Sequence, residues 1–212
     1  MLRAASDDPG ARIVRISSRT VKGRNALQAV ALTGAALGVA AWTSTAKGRE
    51  LDIEAFKELN RDRDAAADAL FGGVTELGSI WASAGAAAVL AIAGRRRAAA
   101  RGLAAAGIAW LGGQGLKRVV GRARPYIDDR EGTRLLIGEP RATSWPSSHP
   151  AVLLAFVTVA GRDLRVGALG RTCLAAIAGL VGVSRSYLGV HYPSDVVGGL
   201  LVGRAVGVAM RD

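Results

Sequence analysis

Both histidines of this chain lie in short segments that also carry charged and hydroxyl groups. Arg185 precedes His191 by six residues, and Asp195 follows it by four. An imidazole can attack phosphorus or carry a proton near neutral pH, and a carboxylate on its second nitrogen fixes the tautomer. Pro193 suits the first turn of a helix, so a helix is predicted to start there with Asp195 in its first turn.

Two upstream segments add anion-binding groups. Lys117 and Arg124 are seven residues apart, which places them on one helix face over two turns. The segment 146–150, Pro-Ser-Ser-His-Pro, sets two hydroxyls and the other histidine, His149, at a predicted helix start. A helix N-terminus offers backbone N–H donors and a positive dipole end. The three segments together predict an oxyanion site with acid–base groups attached.

The order and spacing of these segments resemble the three-part signature of the type 2 phosphatidic acid phosphatase (PAP2) superfamily, which extends from lipid phosphatases to vanadium haloperoxidases. The parts are Lys117-x6-Arg124-Pro125, Pro146-Ser147-Ser148-His149 and Ser184-Arg185-x5-His191-x3-Asp195. One position departs from the pattern, because the family usually has glycine where this chain has Ser148. Serine keeps the backbone N–H but would be strained at a position that needs a positive φ.

The resemblance implies a role for each residue of the signature. His191 would be the nucleophile that forms a phosphohistidine, Asp195 would orient it, and His149 would protonate the leaving oxygen and then activate water. The phosphate would be held by Lys117, Arg124, Ser147, Ser148 and Arg185, together with the backbone of residues 147–149. No metal or cofactor is implied, and two histidines without an acidic or cysteine cluster also make a poor metal site.

Composition favours a membrane protein of one domain. Half of the 212 residues are hydrophobic but 5% are aromatic, and the apolar stretches are rich in alanine and glycine. Such small residues let helices approach closely, as in membrane bundles. The net charge of +11 could indicate nucleic acid, but the basic groups cluster at the ends of apolar segments. This pattern favours an anionic lipid surface and no nucleic acid partner.

Six apolar runs predict an all-α integral membrane bundle of six transmembrane helices. The runs cover residues 26–46, 78–94, 102–116, 150–161, 172–183 and 196–210. The first has about the ~20 residues that span a bilayer. A cleaved signal peptide is the alternative there, because Ser44-Thr45-Ala46 suits a cleavage site. The charged segment 47–77 spaces its apolar residues as an interfacial amphipathic helix does, with its acidic residues on a solvated face.

Charge bias predicts the orientation of this bundle. Residues 1–24 are basic and are expected to form a loose cytoplasmic tail ahead of a phosphatase domain at 25–212. The arginines of 95–101 and 162–171 follow the same positive-inside pattern. Both termini are then cytoplasmic in a multi-pass protein of the plasma membrane, and the three signature segments lie at its outer face.

Residues outside the signature receive structural interpretations. Cys173 lies in an apolar run and is expected to be buried. Several other residues are interpreted as membrane-interface groups, namely Trp110, Trp145, Tyr187 and Tyr192 as aromatic belt residues and Arg118, Arg122, Arg130 and Arg134 as anchors or headgroup contacts. Asp128 and Asp129 are interpreted as solvated loop residues.

The function expected from these features is that of an integral-membrane lipid phosphatase. It would hydrolyse a phosphate monoester or diphosphate of a phospholipid or polyprenyl lipid, with the bilayer and the lipid phosphate as partners. Three alternatives stay open: a polyprenyl diphosphate phosphatase that recycles the cell-wall lipid carrier, a soluble acid phosphatase or haloperoxidase relative, and a non-catalytic phospholipid-binding membrane protein. Strong apolar runs oppose the soluble alternative. Neither the lipid nor the oligomeric state is readable from the sequence.

Overall fold

The computed structural model describes residues 9–211, with side chains from residue 23 onward. Within this range the chain forms nine helices and no strand, so the all-α prediction is confirmed. The helices are α1 (Pro9–Thr43), α2 (Ala46–Asn60), α3 (Ala65–Glu76), α4 (Ile80–Ile92), α5 (Arg96–Val120), α6 (Pro125–Asp128), α7 (Ser148–Asp163), α8 (Ala168–Tyr187) and α9 (Pro193–Ala209). Each predicted apolar run forms most of one helix.

Two helical segments of the described chain are individually long and apolar enough to cross a bilayer. They are Gly23–Thr43 within α1 and Ala168–Tyr187, which is α8. Helices α3 and α4 pass the same test as a pair, but they are bent by 62° at the break between them. Length and composition therefore give two candidate spans, or three if the bent pair is counted as one.

The N-terminal segment is more regular than the sequence suggested. Helix α1 is described from Pro9, so the predicted loose tail is helical from that residue onward, and the helix continues through position 25. Proline is compatible with a first helical turn because its missing N–H would have had no partner there. Residues 1–8, the rest of the predicted tail, lie outside the described residues.

The charged segment after α1 forms two helices, α2 and α3, where one was predicted. The Thr45 hydroxyl caps α2 by accepting the Gly48 N–H at 3.1 Å. A second cap restarts the helix, because the Asp64 carboxylate accepts the Ala67 N–H at 2.8 Å. Asp64 thus satisfies a free N–H at the start of α3, and the sequence reading missed this signal.

Small residues bring α5, α7 and α9 into close contact. Ala105 and Ala109 of α5 pack against Ala155 of α7 with no exposed surface. Gly199 and Gly203 of α9 lie against the backbone at the start of α7 so closely that neither position has room for a Cβ. This contact holds the N-terminus of α7 beside the N-terminus of α9, where two signature segments meet.

Three of the four aromatic residues assigned to a membrane-interface belt are buried inside the bundle. Trp145 is 0% exposed, Tyr187 2% and Tyr192 3%. Tyr187 stacks on Phe71 with ring centroids 4.2 Å apart, and Tyr192 meets Phe56 edge-on at 5.4 Å. The belt interpretation was therefore wrong for these three. The two tyrosines pack against the charged segment, and Trp145 packs between α1 and α9.

Helix α8 carries an apolar face that the bundle leaves exposed. Leu169, Ile177 and Leu180 are 79%, 40% and 45% exposed. Cys173 lies on α8 and is also exposed, so the expectation that it is buried was wrong. An exposed apolar face on a helix of this length is typical of contact with lipid.

Candidate active site

The third signature segment forms the deepest part of the site. Helix α9 begins at Pro193 as predicted, and the Asp195 carboxylate accepts the Tyr192 N–H at 2.8 Å, which caps the helix. His191 is 2% exposed and Asp195 is 0% exposed. Nδ1 of His191 lies 3.4 Å from Oδ2 of Asp195, so the carboxylate is placed to hold a proton on Nδ1.

The second ring nitrogen of His191 faces a cation. Its Nε2 lies 3.2 Å from Nη1 of Arg124, which can donate to the nitrogen lone pair. Arg124 is itself fixed by donating to the carbonyls of Val190 at 2.7 Å and Ala142 at 2.7 Å. With the proton on Nδ1, Nε2 is the unprotonated nitrogen, and its electron pair faces the cationic side of the site.

The structure brings the three predicted cations together around both histidines. Lys117, Arg124 and Arg185 are each 4–5% exposed. The positive charges of all three act on the rings of both His149 and His191. Three cations this close are repulsive when no anion is bound, so the arrangement favours an anionic ligand.

This environment sets the charge of His191. Burial lowers its pKa well below the usual histidine value, and the neighbouring positive charges of Arg124, Lys117 and Arg185 lower it further. His191 is therefore neutral at pH 7, which is the form that can act as a nucleophile.

The second signature segment forms the start of α7. Ser147 precedes the helix, and its N–H donates to the carbonyl of Asp195 at 2.9 Å. That N–H is occupied, so the expectation that the 147–149 backbone as a whole would bind phosphate was wrong for Ser147.

Three buried polar groups at the site have no hydrogen-bond partner within the described chain. They are the hydroxyls of Ser147 and Ser148 and Nε of Arg185. Buried polar groups without partners are rare, and these suit oxygen atoms of a ligand.

Ser148 fits its position without strain. It is the first residue of α7 and has helical backbone geometry, whereas the positive φ values found among non-glycine residues 9–211 are confined to Arg165. A side chain is therefore tolerated at the position where the PAP2 signature usually has glycine. Ser148 and His149 are half-buried, in contrast to His191.

Arg122 is a site residue that the sequence analysis missed. Its Nη1 donates to Oδ1 of Asp195 at 2.8 Å and to the Ser194 hydroxyl at 2.6 Å, and its Nη2 donates to Oδ2 of Asp52 at 2.6 Å. The two carboxylates outweigh the effect of burial and raise the pKa of Arg122. The anchor interpretation of Arg122 and the solvated interpretation of Asp52, which is 4% exposed, were both wrong.

The turn between α3 and α4 also reaches the site. Nη1 of Arg185 donates to the hydroxyl of Thr75, which is 1% exposed, at 2.8 Å. Gly78 lies against His149, and a Cβ at this glycine would be 2.7 Å from the His149 Cβ. Thr75 at the end of α3 thus positions one predicted phosphate ligand, and the turn after α3 positions one predicted acid–base residue.

The loop between α6 and α7 is fixed by long-range contacts. The side-chain amide of Asn60 donates to the carbonyls of Arg134 at 2.8 Å and Tyr187 at 2.7 Å. Asp128, the last residue of α6, is exposed as expected, and it also accepts from the Tyr192 hydroxyl at 2.9 Å. These contacts hold the loop against the end of α8, beside the signature segments.

Comparison with known proteins agrees with this geometry. A sequence model of the PAP2 superfamily matches residues 97–211, which is more than half of the chain. Decaprenylphosphoryl-5-phosphoribose phosphatase of Mycolicibacterium smegmatis is 36% identical over 119 residues, 56% of this chain and 62% of that protein. The protein of that name from Mycobacterium tuberculosis (strain ATCC 25618 / H37Rv) is 35% identical over 92 residues, 43% of this chain and 48% of that protein. The matched part thus spans about half to three fifths of these relatives.

Two solved structures have a similar fold. The transmembrane PAP2-type phosphatidylglycerolphosphate phosphatase of Bacillus subtilis gives a TM-score of 0.68 at 24% identity, covering 84% of this chain and 92% of that one. LpxE of Aquifex aeolicus gives a TM-score of 0.65 at 28% identity, covering 74% of this chain and 93% of that one. The all-helical fold is therefore that of membrane PAP2 phosphatases.

Proposed function

The chain belongs to the PAP2 superfamily, and we propose that it is an integral-membrane lipid phosphatase acting on a phosphate monoester or diphosphate of a phospholipid or polyprenyl lipid. One observation carries the proposal. Beside the neutral His191 ring, the buried hydroxyls of Ser147 and Ser148 and Nε of Arg185 have no partner in the described chain. A phosphoryl group would satisfy all three.

The proposed reaction begins with attack on phosphorus. Nε2 of His191 forms a P–N bond while the P–O bond to the lipid breaks. His149 gives a proton to the departing oxygen, and it enters this step protonated because the bound phosphate anion offsets the charges of Lys117, Arg124 and Arg185. His191 then carries positive charge, which the Asp195 carboxylate stabilises. Lys117, Arg124 and Arg185 bind the phosphoryl oxygens, so catalysis rests on positioning and on charge stabilisation.

Hydrolysis of the phosphohistidine completes the cycle. His149 is neutral after the first step and takes a proton from water, whose oxygen attacks phosphorus as the P–N bond breaks. Inorganic phosphate leaves, and His191 returns to its neutral form. The half-buried position of His149, against the fully buried His191, supports a leaving group and a water molecule that both approach from the His149 side.

For the substrate we propose a polyprenyl-linked phosphomonoester as the first candidate. The name of the curated relatives describes a decaprenyl lipid that carries a phosphorylated ribose. Recycling of a polyprenyl diphosphate carrier remains the second candidate, because the same cations could bind either group. A non-catalytic lipid-binding role is disfavoured by the paired arrangement of His191 and Asp195.

We further propose six transmembrane segments, formed by α1, the α3–α4 pair, α5, α7, α8 and α9. The end of α5, the start of α7, the end of α8 and the start of α9 all meet at the site, as an alternating bundle requires. With the basic segments 95–101 and 162–171 in the cytoplasm, both termini are inside and the site is at the outer face.

The test is phosphoenzyme trapping. Wild-type protein is mixed with a radiolabelled lipid phosphate and quenched rapidly, and we expect acid-labile, base-stable label on the protein. His191→Ala should show no label and almost no turnover. The roles of the two histidines would be reversed if His191→Ala still accumulated label and His149→Ala did not. Binding of lipid phosphates without release of phosphate, across a panel of monoesters and diphosphates, would support the non-catalytic alternative.

A further inference from the structure

A cavity lies at the end of the bundle opposite His191. It has a volume of about 920 Å³ and lies between α1, α7, α8 and α9. Four arginines line it, which are Arg162, Arg171, Arg204 and Arg211. Helix α7 begins beside the active site at Ser148 and carries Arg162 in the cavity, so about 21 Å of helix separates the active site from this arginine.

The positive charge in this cavity is only partly offset by the described residues around it, among which Asp163 acts on Arg162. Arg162 donates to the backbone carbonyls of Gly207 at 2.8 Å and Met210 at 3.3 Å, which carry no net charge. The nearby carboxylate of Asp163 is already paired with Arg101 at 3.1 Å. Arg162 and Arg204 each experience the positive charge of Arg211. The cavity therefore favours an anion.

Arg204 is the most informative of the four. It lies on α9 within the last apolar run, and no side chain of residues 23–211 forms a hydrogen bond or ion pair with it. A cation at the depth of a membrane helix normally faces a counter-charge or a polar cavity.

The other wall of the same cavity is apolar and includes Leu154, Val157 and Ala175.

We propose that this cavity binds an anionic phospholipid, with its phosphate on the arginines and its acyl chains along the apolar wall. Guanidinium groups match the oxygens of a phosphate with paired hydrogen bonds. The apolar wall selects a lipid over a free anion, because inorganic phosphate would leave it uncovered. The volume lies within the range of about 300–1,000 Å³ that is typical of small-molecule sites. The charge bias that orients the bundle places the cavity at the cytoplasmic leaflet.

The experiment measures lipid binding without turnover. Purified protein in a neutral detergent is saturated with vanadate to fill the active site, and native mass spectrometry then records adducts with phosphatidylglycerol and with phosphatidylcholine. Both are phosphodiesters of similar chain length, and phosphatidylglycerol alone carries a net negative charge. We expect a clear preference for phosphatidylglycerol. A protein that proved to be catalytically inactive would still give this result, so the outcome is separate from the proposed phosphatase activity.

A matched pair of variants locates the site. Arg171→Gln/Arg204→Gln removes two charges from the cavity, whereas Arg95→Gln/Arg96→Gln removes two exposed charges from the α4–α5 turn, outside the cavity. At about 1 kcal/mol per basic residue, the cavity variant should bind phosphatidylglycerol about 30-fold more weakly. The control should keep the affinity of the parent. Circular dichroism and the thermal unfolding midpoint check that both variants are folded.

Three outcomes would overturn the proposal. Equal binding of the two lipids would remove the role of charge, and equal loss in both double variants would assign the binding to general surface charge. The third outcome comes from an experiment in which inorganic phosphate is added to the preformed complex of protein and lipid. Displacement of the lipid by phosphate at concentrations similar to that of phosphatidylglycerol would identify a free-anion site instead.

Discussion

Arg122 and Asp195 form a buried ion pair, with 2.8 Å between Nη1 of the arginine and Oδ1 of the aspartate. The other carboxylate oxygen, Oδ2, is the one that faces His191. Arg122 also binds Asp52 on α2 and lies 4.2 Å from the centroid of the Tyr192 ring. One guanidinium thus connects α2, the loop after α5 and the start of α9 at the residue that orients the proposed nucleophile.

This relationship predicts that Arg122→Gln lowers kcat by about 10- to 100-fold, the range seen when a group that orients a site residue is removed. Asp195 would lose the cation that fixes its rotamer, and Asp52 would keep an unpaired buried charge. The readout that separates positioning from general damage is the chemical shift of His191, which should change with its altered hydrogen bond to Asp195.

Two controls accompany this variant. Arg122→Lys keeps the charge and should recover part of the activity, although a lysine cannot bridge two carboxylates as a planar fork does. Arg118→Gln removes an exposed arginine four residues earlier and should leave kcat unchanged. Normal activity and an unchanged His191 signal in Arg122→Gln would show that the ion pair has no part in positioning the histidine.

A second prediction concerns the protonation of His191. Because burial and the surrounding cations lower its pKa, it should remain neutral well below pH 6.5, and protonation should occur only at more acidic pH. The chain has two histidines, so ¹⁵N-histidine spectra contain two imidazoles, and His149→Gln assigns the remaining one. A signal for His191 that titrates near pH 6.5 would contradict the electrostatic description of the site.

The sequence predicted the helices and the signature residues because both depend on local pattern. Apolar runs predict the helices. Pro193, three residues after Val190, correctly predicts the first residue of α9. The role of Arg122 could not be read in this way. Its partner Asp52 is 70 residues away and lies in a segment whose many charges suggest a solvated surface. Tertiary packing alone selects that one carboxylate for burial.

The membrane-interface prediction for the aromatic residues was wrong for a related physical reason. Tyrosine and tryptophan suit both a membrane interface and a buried position with a hydrogen bond. Tyr187 and Tyr192 take the second option because Asp68 and Asp128 accept from their hydroxyls. Neither aspartate is adjacent in sequence to its tyrosine, so composition could not distinguish the two environments.

A third prediction tests the orientation in the membrane. Cys173 is exposed and would itself react, so it is first replaced by serine. Glu131→Cys in this background, in the loop beside the site, should be labelled by a membrane-impermeant thiol reagent on intact cells. Arg95→Cys, at the α4–α5 turn, should be labelled only after lysis. The reverse pattern would place the site in the cytoplasm.

A fourth prediction concerns metal dependence and inhibition. The proposed chemistry uses His191 and the cations Lys117, Arg124 and Arg185, so phosphate release should persist in excess chelator. Vanadate should inhibit, because it can adopt the five-coordinate geometry of the phosphorus and bond to Nε2 of His191. Loss of activity in chelator with recovery on addition of magnesium would contradict the histidine mechanism.

The last prediction tests the α3–α4 turn with a methyl group. In Gly78→Ala the new Cβ would lie 2.6 Å from Val181 Cγ1 and 2.7 Å from His149 Cβ, so His149 must move. Displacement of a reacting group by about 1 Å can cost about 100-fold in rate, and we expect kcat to fall towards that extent. Gly85→Ala adds the same group on α4 where no atom lies within 4 Å, and it should leave kcat unchanged. Activity is measured with a lipid phosphate and with an aryl phosphate. Since His149 is the proposed leaving-group acid, the loss should be smaller for the aryl ester, whose leaving group needs less protonation. Equal losses on both substrates would show that the turn supports the fold and not the position of His149.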